Sequence, residues 1–278
     1  MSLLTVSNLS VRDKRTKEFL IKNISFTLDA NACLGIVGES GSGKSITSKA
    51  LLGLTDPWLD VAGTVQFDGV ELLTADREAL RIIRGKRICM ILQDAMTAFD
   101  PLCTIGYQIV ETLCEHTGAS EKEAKLVTLA ALEEMDIHEP LAVIKKYPHQ
   151  LSGGMLQRCM IALALALKPD VIIADEPTTA LDSIHQRQVL EQFQKLRQIS
   201  NTAVIFISHD LGVIQYLAQQ VLVMRAGQQV EYGEAGQVLS RPQHPYTRCL
   251  VDTRIALTRP FLAAKREVSA VADCERRL

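Results

Sequence analysis

At 278 residues the chain is long enough for a large core, arranged as one elaborated domain or two small ones. Hydrophobic residues at 47% against 22% charged exclude a chain too polar to fold, and a formal net charge of −2 leaves no whole-chain electrostatic footprint for nucleic acid. The longest apolar run, Cys159 to Leu167, is far shorter than the ~20 residues of a membrane helix, and MSLLTVSNLSVRD has no long apolar signal segment, so a soluble chain is expected, one still free to dock on a membrane protein.

Early segments are strand-like. LLTVSNLSV, FLIKNISFTL and TVQFDG alternate or cluster branched and aromatic residues between the turn-forming DK, DAN and DG, which predicts an antiparallel layer near the start. CLGIVG, residues 33–38, is a short continuous apolar run that stops at glycine, as a buried parallel strand does, and SITSKALLGL behind it predicts a helix. From about Ile105 to Leu167 the pattern turns helical, with a capping box at Ser120 and Glu123. VIIADE (171–176) and AVIFISH (203–209) are again short apolar strands, joined by a helix through SIHQRQVLEQFQKLRQI. The expected class is therefore α/β: a parallel core sheet with an N-terminal antiparallel β subdomain and a helical subdomain. The expected divisions are 1–94 for the first part of the core with its antiparallel layer, 95–167 for the helical part, 168–240 for the rest of the core, and 241–278 for a C-terminal extension whose last twenty or so residues read as poorly packed. The seven cysteines are scattered without a CxxC pair, which suits a reduced cytosol.

Four stretches carry chemistry. GESGSGKS, residues 38–45, fits G-x-x-x-x-G-K-[ST] between a predicted strand and a predicted helix. Gly38, Gly41 and Gly43, with Glu39, Ser40 and Ser42 between them, let backbone N–H groups curl around phosphate oxygens; Lys44 supplies a point charge, and the Ser45 hydroxyl suits Mg²⁺. VIIADEP ends a buried strand on Asp175, placed to support the metal, and on Glu176, which points differently and is able to polarise water; alone, such a pair is often a helix-capping turn. His209 closes another strand at the edge where a parallel sheet collects ligands, and Gln93 in ICMILQD offers a neutral amide able to hold a metal-bound water. The fourth stretch is LSGGMLQR, residues 151–158. Two glycines cost a helix interior roughly 1 kcal/mol each relative to alanine, so Gly153 and Gly154 belong in its first turn, behind Ser152. A glycine-bearing helix start invites an anion, although a serine cap before an apolar helix is ordinary architecture.

In this order and spacing, the phosphate loop, Gln93, LSGGMLQR, VIIADEP with ALD, and His209 resemble the nucleotide-binding subunit of ABC transporters, over about residues 3 to 254. The resemblance implies the P-loop ABC cassette fold, an ATPase using ATP and Mg²⁺, and the following roles. Lys44 and Ser45 hold phosphate and Mg²⁺; Asp175 supports the metal together with Gln93, which also senses the membrane partner; Glu176 is the general base and His209 contacts the γ-phosphate. Ser152, Gly153 and Gly154 face the γ-phosphate bound by a second subunit, with Asp182 of TALD at the same junction.

ADEPTTALD, LQDAMTAFDP and HPYT (244–247) look like the peptide and nickel importers of bacteria, and SGGMLQR with Leu156 looks more like the nickel or metallophore importers. The resemblance implies a second ATP-binding subunit, a distinct homologue by preference, two membrane permease subunits, an external substrate-binding protein, and a place on the cytoplasmic face of the inner membrane. A dipeptide or oligopeptide importer is the alternative cargo reading. A soluble ABC protein acting on DNA or ribosomes and a P-loop kinase are the alternatives of other classes; the first usually carries two cassettes or a coiled-coil insert, and the second has no need of LSGGMLQR. After His244 only Cys249 and Cys274 remain, so no iron–sulfur cluster is expected. Phe19, near Glu18 and Arg15, is the nearest candidate to stack on adenine, with a core position slightly favoured.

Overall fold

The computed structural model describes residues 2–254. The expected character of the last twenty or so residues lies outside them. In chain order the elements begin with strands β1 (Ser2–Asp13), β2 (Phe19–Asp29) and β3 (Cys33–Val37), helix α1 (Lys44–Leu51), strands β4 (Leu59–Phe67) and β5 (Val70–Glu71), helix α2 (Arg77–Ile83) and strand β6 (Ile88–Ile91). Helices α3 (Ile105–Thr117), α4 (Glu121–Glu134), α5 (Pro140–Val143) and α6 (Gly153–Ala166) follow. The chain then returns to the sheet through β7 (Val171–Asp175), α7 (Ser183–Ser200), β8 (Ala203–Ile207), α8 (Leu211–Leu217), β9 (Gln220–Arg225), β10 (Gln228–Glu234) and α9 (Ala235–Ser240), and residues 245–254 are helical.

The strands form one sheet in the order β5-β4-β1-β2-β10-β9-β3-β8-β7-β6. From β9 to β6 all neighbours are parallel, whereas β1, β2, β4 and β5 pair antiparallel. The α/β class with a parallel core and an N-terminal antiparallel layer is thus present. The strands β3, β7 and β8 are buried at all five positions, which explains their continuous apolar runs: both faces are covered. Alternation sends Leu34, Ile36, Ile173 and Ile205 into one core with Ala50 and Leu51 of α1 and the antiparallel layer. The residues between them, Cys33, Ile172, Val204 and Phe206, enter the second core with Phe193 of α7 and Ile214 of α8.

Local signals set the helix ends. Ser120 and Glu123 close a reciprocal capping box on α4, and Thr104 caps α3, which stops at Gly118 in the left-handed conformation. The α6 helix begins at Gly153, with the Ser152 hydroxyl accepting from Met155 N, so both glycines sit in its first turn as the sequence predicts. It then buries Leu156, Cys159, Met160 and Ile161. No helix among the described residues is long and apolar enough to cross a membrane.

One expectation is overturned. Phe19 is not in the core: it opens β2 with 51% of its surface exposed, and the Arg12 guanidinium and the Lys22 ammonium each lie 5.6 Å from its ring centroid. As the first residue of the strand it lies outside both packed layers.

Candidate functional site

The parallel register brings one group of residues to a single edge. β3 pairs Ile36 with Ile207 of β8, β8 pairs Ile207 with Asp175 of β7, and β7 pairs Ala174 with Ile91 of β6. The segments that leave these four carboxyl ends carry, respectively, the Gly38–Ser45 loop, His209, Asp175 with Glu176, and Gln93. Ligand-binding residues collect at this edge of open α/β sheets because each chain turns there into a loop or helix.

The loop after β3 needs its glycines. Gly41 and Gly43 hold φ of 78° and 98°, which L side chains rarely adopt. A Cβ on Gly43 would also stand 2.5 Å from Ile21, and one on Gly38 would collide with the Met224 carbonyl. Around Gly41, by contrast, a Cβ would meet nothing within 4 Å. Lys44 is buried at the start of α1, and its Nζ donates to the carbonyls of Gly38 and Glu39 at 2.8 Å each. Burial lowers the Lys44 pKa, while the nearby carboxylates of Glu176 and Asp175 pull it back up. The loop thus wraps its own cation at a helix N-terminus, the arrangement that favours a polyanion.

Asp175 ends β7 at 3% exposure, and its Oδ1 has no hydrogen-bond partner. Burial raises its carboxyl pKa, and the Ser45 hydroxyl beside it works in the opposite direction. A buried carboxylate oxygen without a donor, next to a serine hydroxyl and an anion-binding loop, is the donor set a hard divalent cation takes, so these residues fit Mg²⁺. Glu176 adopts φ of 46°, an unusual conformation for a residue with a side chain, and its N–H donates to the Ile207 carbonyl. Its side chain reaches His209, whose Nδ1 lies 3.2 Å from Glu176 Oε2. His209 is largely exposed, whereas the Glu176 side chain is 15% exposed. Gln93 sits two residues past β6 and is exposed.

A second cluster forms at the start of α6. Gly154 packs on the segment after β7: a Cβ there would lie 3.0 Å from the Ala180 carbonyl. Gly153 has nothing within 4 Å of a Cβ position. Asp182, two residues past Ala180, caps α7 by accepting from the N–H groups of Ile184 and His185, and its other oxygen lies 2.6 Å from His185 Nδ1. These bonds from His185 hold the Asp182 carboxyl below its usual range. Ser152, Gly153, Gly154 and Asp182 therefore share one junction, and the hydrogen bonds of Ser152 and Asp182 stay within their own helices.

Three contributors escaped the sequence reading. Gln157 of LSGGMLQR is fully buried, and its Nε2 donates to the Leu92 carbonyl at 3.3 Å, which ties α6 to the Gln93 segment. A polar residue inside an apolar helical run was the available signal. His185 lies one turn from Asp182, a spacing that brings side chains together on a helix. Tyr246 of HPYT accepts a hydrogen bond from Glu39 N at 3.1 Å, and only the three-dimensional fold brings those residues together.

Comparison with known proteins agrees with this layout. The family model described as ABC transporter matches residues 21–179. The metal-staphylopine import system ATP-binding protein of Staphylococcus aureus is 47% identical over 254 residues, covering 91% of this chain and 94% of that protein. The dipeptide transport ATP-binding protein of Haemophilus influenzae is 45% identical, covering 90% of this chain and 77% of that one. Among solved structures, the ATP-binding cassette MJ0796, in a dimer bound to ADP and Pi, superposes with a TM-score of 0.75 at 28% identity, covering 84% of this chain and 98% of that one. With the phosphate loop, the carboxylate pair and the glycine-bearing helix start all in place on this fold, the chain belongs to the ABC transporter family and is an ATP-hydrolysing import subunit.

Proposed function

We propose that this subunit binds MgATP across two protomers and couples its hydrolysis to the uptake of nickel or a metal–metallophore complex through a membrane permease. The observation that carries the reading is Gly153: it is a helix residue with φ in the ordinary range and open space where a Cβ would go, so nothing in its own chain requires glycine there. A glycine that costs helix stability without an internal reason leaves room for something outside the chain. A phosphate bound by the loop of a second subunit fits the exposed N–H groups and the dipole of that helix start.

In this reading the N–H groups of the 38–45 loop and the Lys44 ammonium bind the phosphates, and Ser45, Asp175 and, through water, Gln93 hold Mg²⁺. When bound, the ion neutralises charge on the β- and γ-phosphate oxygens. Glu176 orients water and takes its proton; His209, 3.2 Å from Glu176, holds that carboxylate in place and reaches the γ-phosphate. Asp182 fixes the TALD turn on which Gly154 rests.

The partners in this proposal are a second, distinct ATP-binding subunit, two permease subunits and an external binding protein, with the chain seated on the cytoplasmic face of the inner membrane. Metal cargo is favoured over peptide because the metal-staphylopine import protein matches across 94% of its own length, against 77% for the dipeptide transport protein. Metal uptake with and without a chelator, in cells lacking this chain, tests the cargo. Unchanged metal uptake together with lost dipeptide uptake would transfer the assignment to peptide import. Copurification with integral membrane subunits tests the transport role itself.

A further inference from the structure

The phosphate loop is held from outside as well as from within. The Gly38–Glu39 peptide is bonded on both of its sides: its carbonyl accepts from Lys44 Nζ at 2.8 Å, and its N–H donates to the hydroxyl of Tyr246 at 3.1 Å. In a trans peptide these two groups point in opposite directions, so the unit is strung between the loop's cation and the C-terminal extension. Tyr246 is itself fixed, with 7% of its surface exposed and the Arg225 guanidinium 4.9 Å from its ring centroid. Arg225 ends β9, and the turn just after it holds the loop a second time, Gly227 N donating to the Ser42 carbonyl at 3.1 Å.

The rest of HPYT seats the tyrosine. Glu231 of β10 accepts from the N–H groups of Gln243 and His244 at 2.9 and 3.1 Å, and His244 Nδ1 accepts from Tyr246 N at 3.1 Å, within the first turn of the 245–254 helix. A phenol is protonated near neutral pH in any case, and burial raises the Tyr246 pKa further.

We propose that Tyr246 is a positioning residue of the nucleotide site: its hydroxyl orients the Gly38–Glu39 peptide and, through that carbonyl, Lys44, making the C-terminal extension a working part of triphosphate binding. This rests on the phosphate-loop reading given above. Without the hydroxyl, the Glu39 N–H loses its acceptor and the loop spends less time in the arrangement that receives phosphate; apparent affinity falls by the fraction of competent loop that is lost.

The test uses the full chain, with ATP as the ligand and Tyr246→Phe as the variant, which keeps the ring and its contact with Arg225. ATP binding is expected to weaken about five-fold, the size of one ordinary hydrogen bond. Amide exchange is expected to accelerate in the peptide spanning residues 38–45 and to stay unchanged in β7 and β8. Faster exchange throughout, or wild-type ATP affinity, overturns the proposal. Lys44→Ala, measured alongside, tests the phosphate-loop reading separately. Loss of ATP binding there with none in Tyr246→Phe refutes the positioning role alone, whereas full binding by Lys44→Ala refutes the loop reading itself. Should Tyr246→Phe not fold, Arg225→Gln, which keeps the hydroxyl but frees the ring, is measured the same way: weakened ATP binding supports the proposal and unchanged binding overturns it.

Discussion

Replacing Gly153 by alanine should make the isolated chain more stable and the working transporter slower. The position is the first residue of α6, its φ is not positive, and an added methyl meets no atom within 4 Å. Alanine there narrows the unfolded ensemble and suits the helix, a gain of about 0.5 kcal/mol at a helix end, where the full mid-helix difference is not realised. In a chain of this size such a gain raises Tm by about 1–2 °C. In the assembled transporter the same methyl occupies the space assigned to another subunit's terminal phosphate. An intrusion of that kind costs about 1–3 kcal/mol, which corresponds to ATP turnover about 5- to 150-fold lower. Calorimetry of the nucleotide-free chain reads the first quantity, and phosphate release by the complex with its membrane partners reads the second. The neighbouring change, Gly154→Ala, serves as the contrast: its methyl would lie 3.0 Å from the Ala180 carbonyl, so it should lose stability. A Gly153→Ala protein that is stabilised and fully active would refute the idea that the open space is reserved for a phosphate from outside.

Other outcomes follow from the same geometry. Glu176→Gln should bind ATP as tightly as the parent while turnover falls about 10²–10⁴-fold, because the fold around residue 176 is kept and only the proton-accepting oxygen is removed; normal turnover would remove Glu176 from the role of base. Asp175→Asn should raise the Tm of the nucleotide-free chain at pH 7 and abolish Mg²⁺-dependent turnover. Burial raises the native Asp175 pKa above 3.8, so the folded state holds that proton more tightly than the unfolded chain. This contribution is complete below the unfolded value and is lost as pH rises through the native one, leaving a buried charge near neutrality that asparagine avoids. The Tm difference should therefore shrink as the pH is lowered toward about 4, and a difference that grows on acidification would contradict the sign. Gly38→Ala should cost about 1–3 kcal/mol in urea unfolding, since its methyl collides with the Met224 backbone; an unaltered midpoint would mean that the loop yields more easily than its contacts indicate.

The phosphate loop was legible in the sequence because its signal is conformational: glycines at positions of positive φ, flanked by a strand with no polar residue and a helix. VIIADE and AVIFIS were legible for a related reason, since strands covered on both faces carry unbroken apolar runs. The first-turn position of Gly153 and Gly154 followed from helix propensity alone. What local pattern did not supply was set by the fold as a whole. The β9–β10 hairpin has one buried strand and one half-buried polar strand, QQVEYGE, whose place beside β2 is fixed by topology. Phe19 was misjudged because an aromatic beside a strand of apolar residues reads as core, whereas only its place at the strand's first position leaves it exposed. The bond from Glu39 to Tyr246 spans 207 residues, beyond the reach of any periodicity.

The shared triphosphate is open to direct observation. The Glu176→Gln subunit, purified with its partner subunits and loaded with ATP and Mg²⁺, should yield a structure in which Ser152 and the N–H groups of Gly153 and Gly154 lie within hydrogen-bond distance of the γ-phosphate carried by the opposing subunit's phosphate loop. A structure in which that loaded phosphate contacts only the subunit that cradles it, with Ser152 far from either nucleotide, would contradict the account.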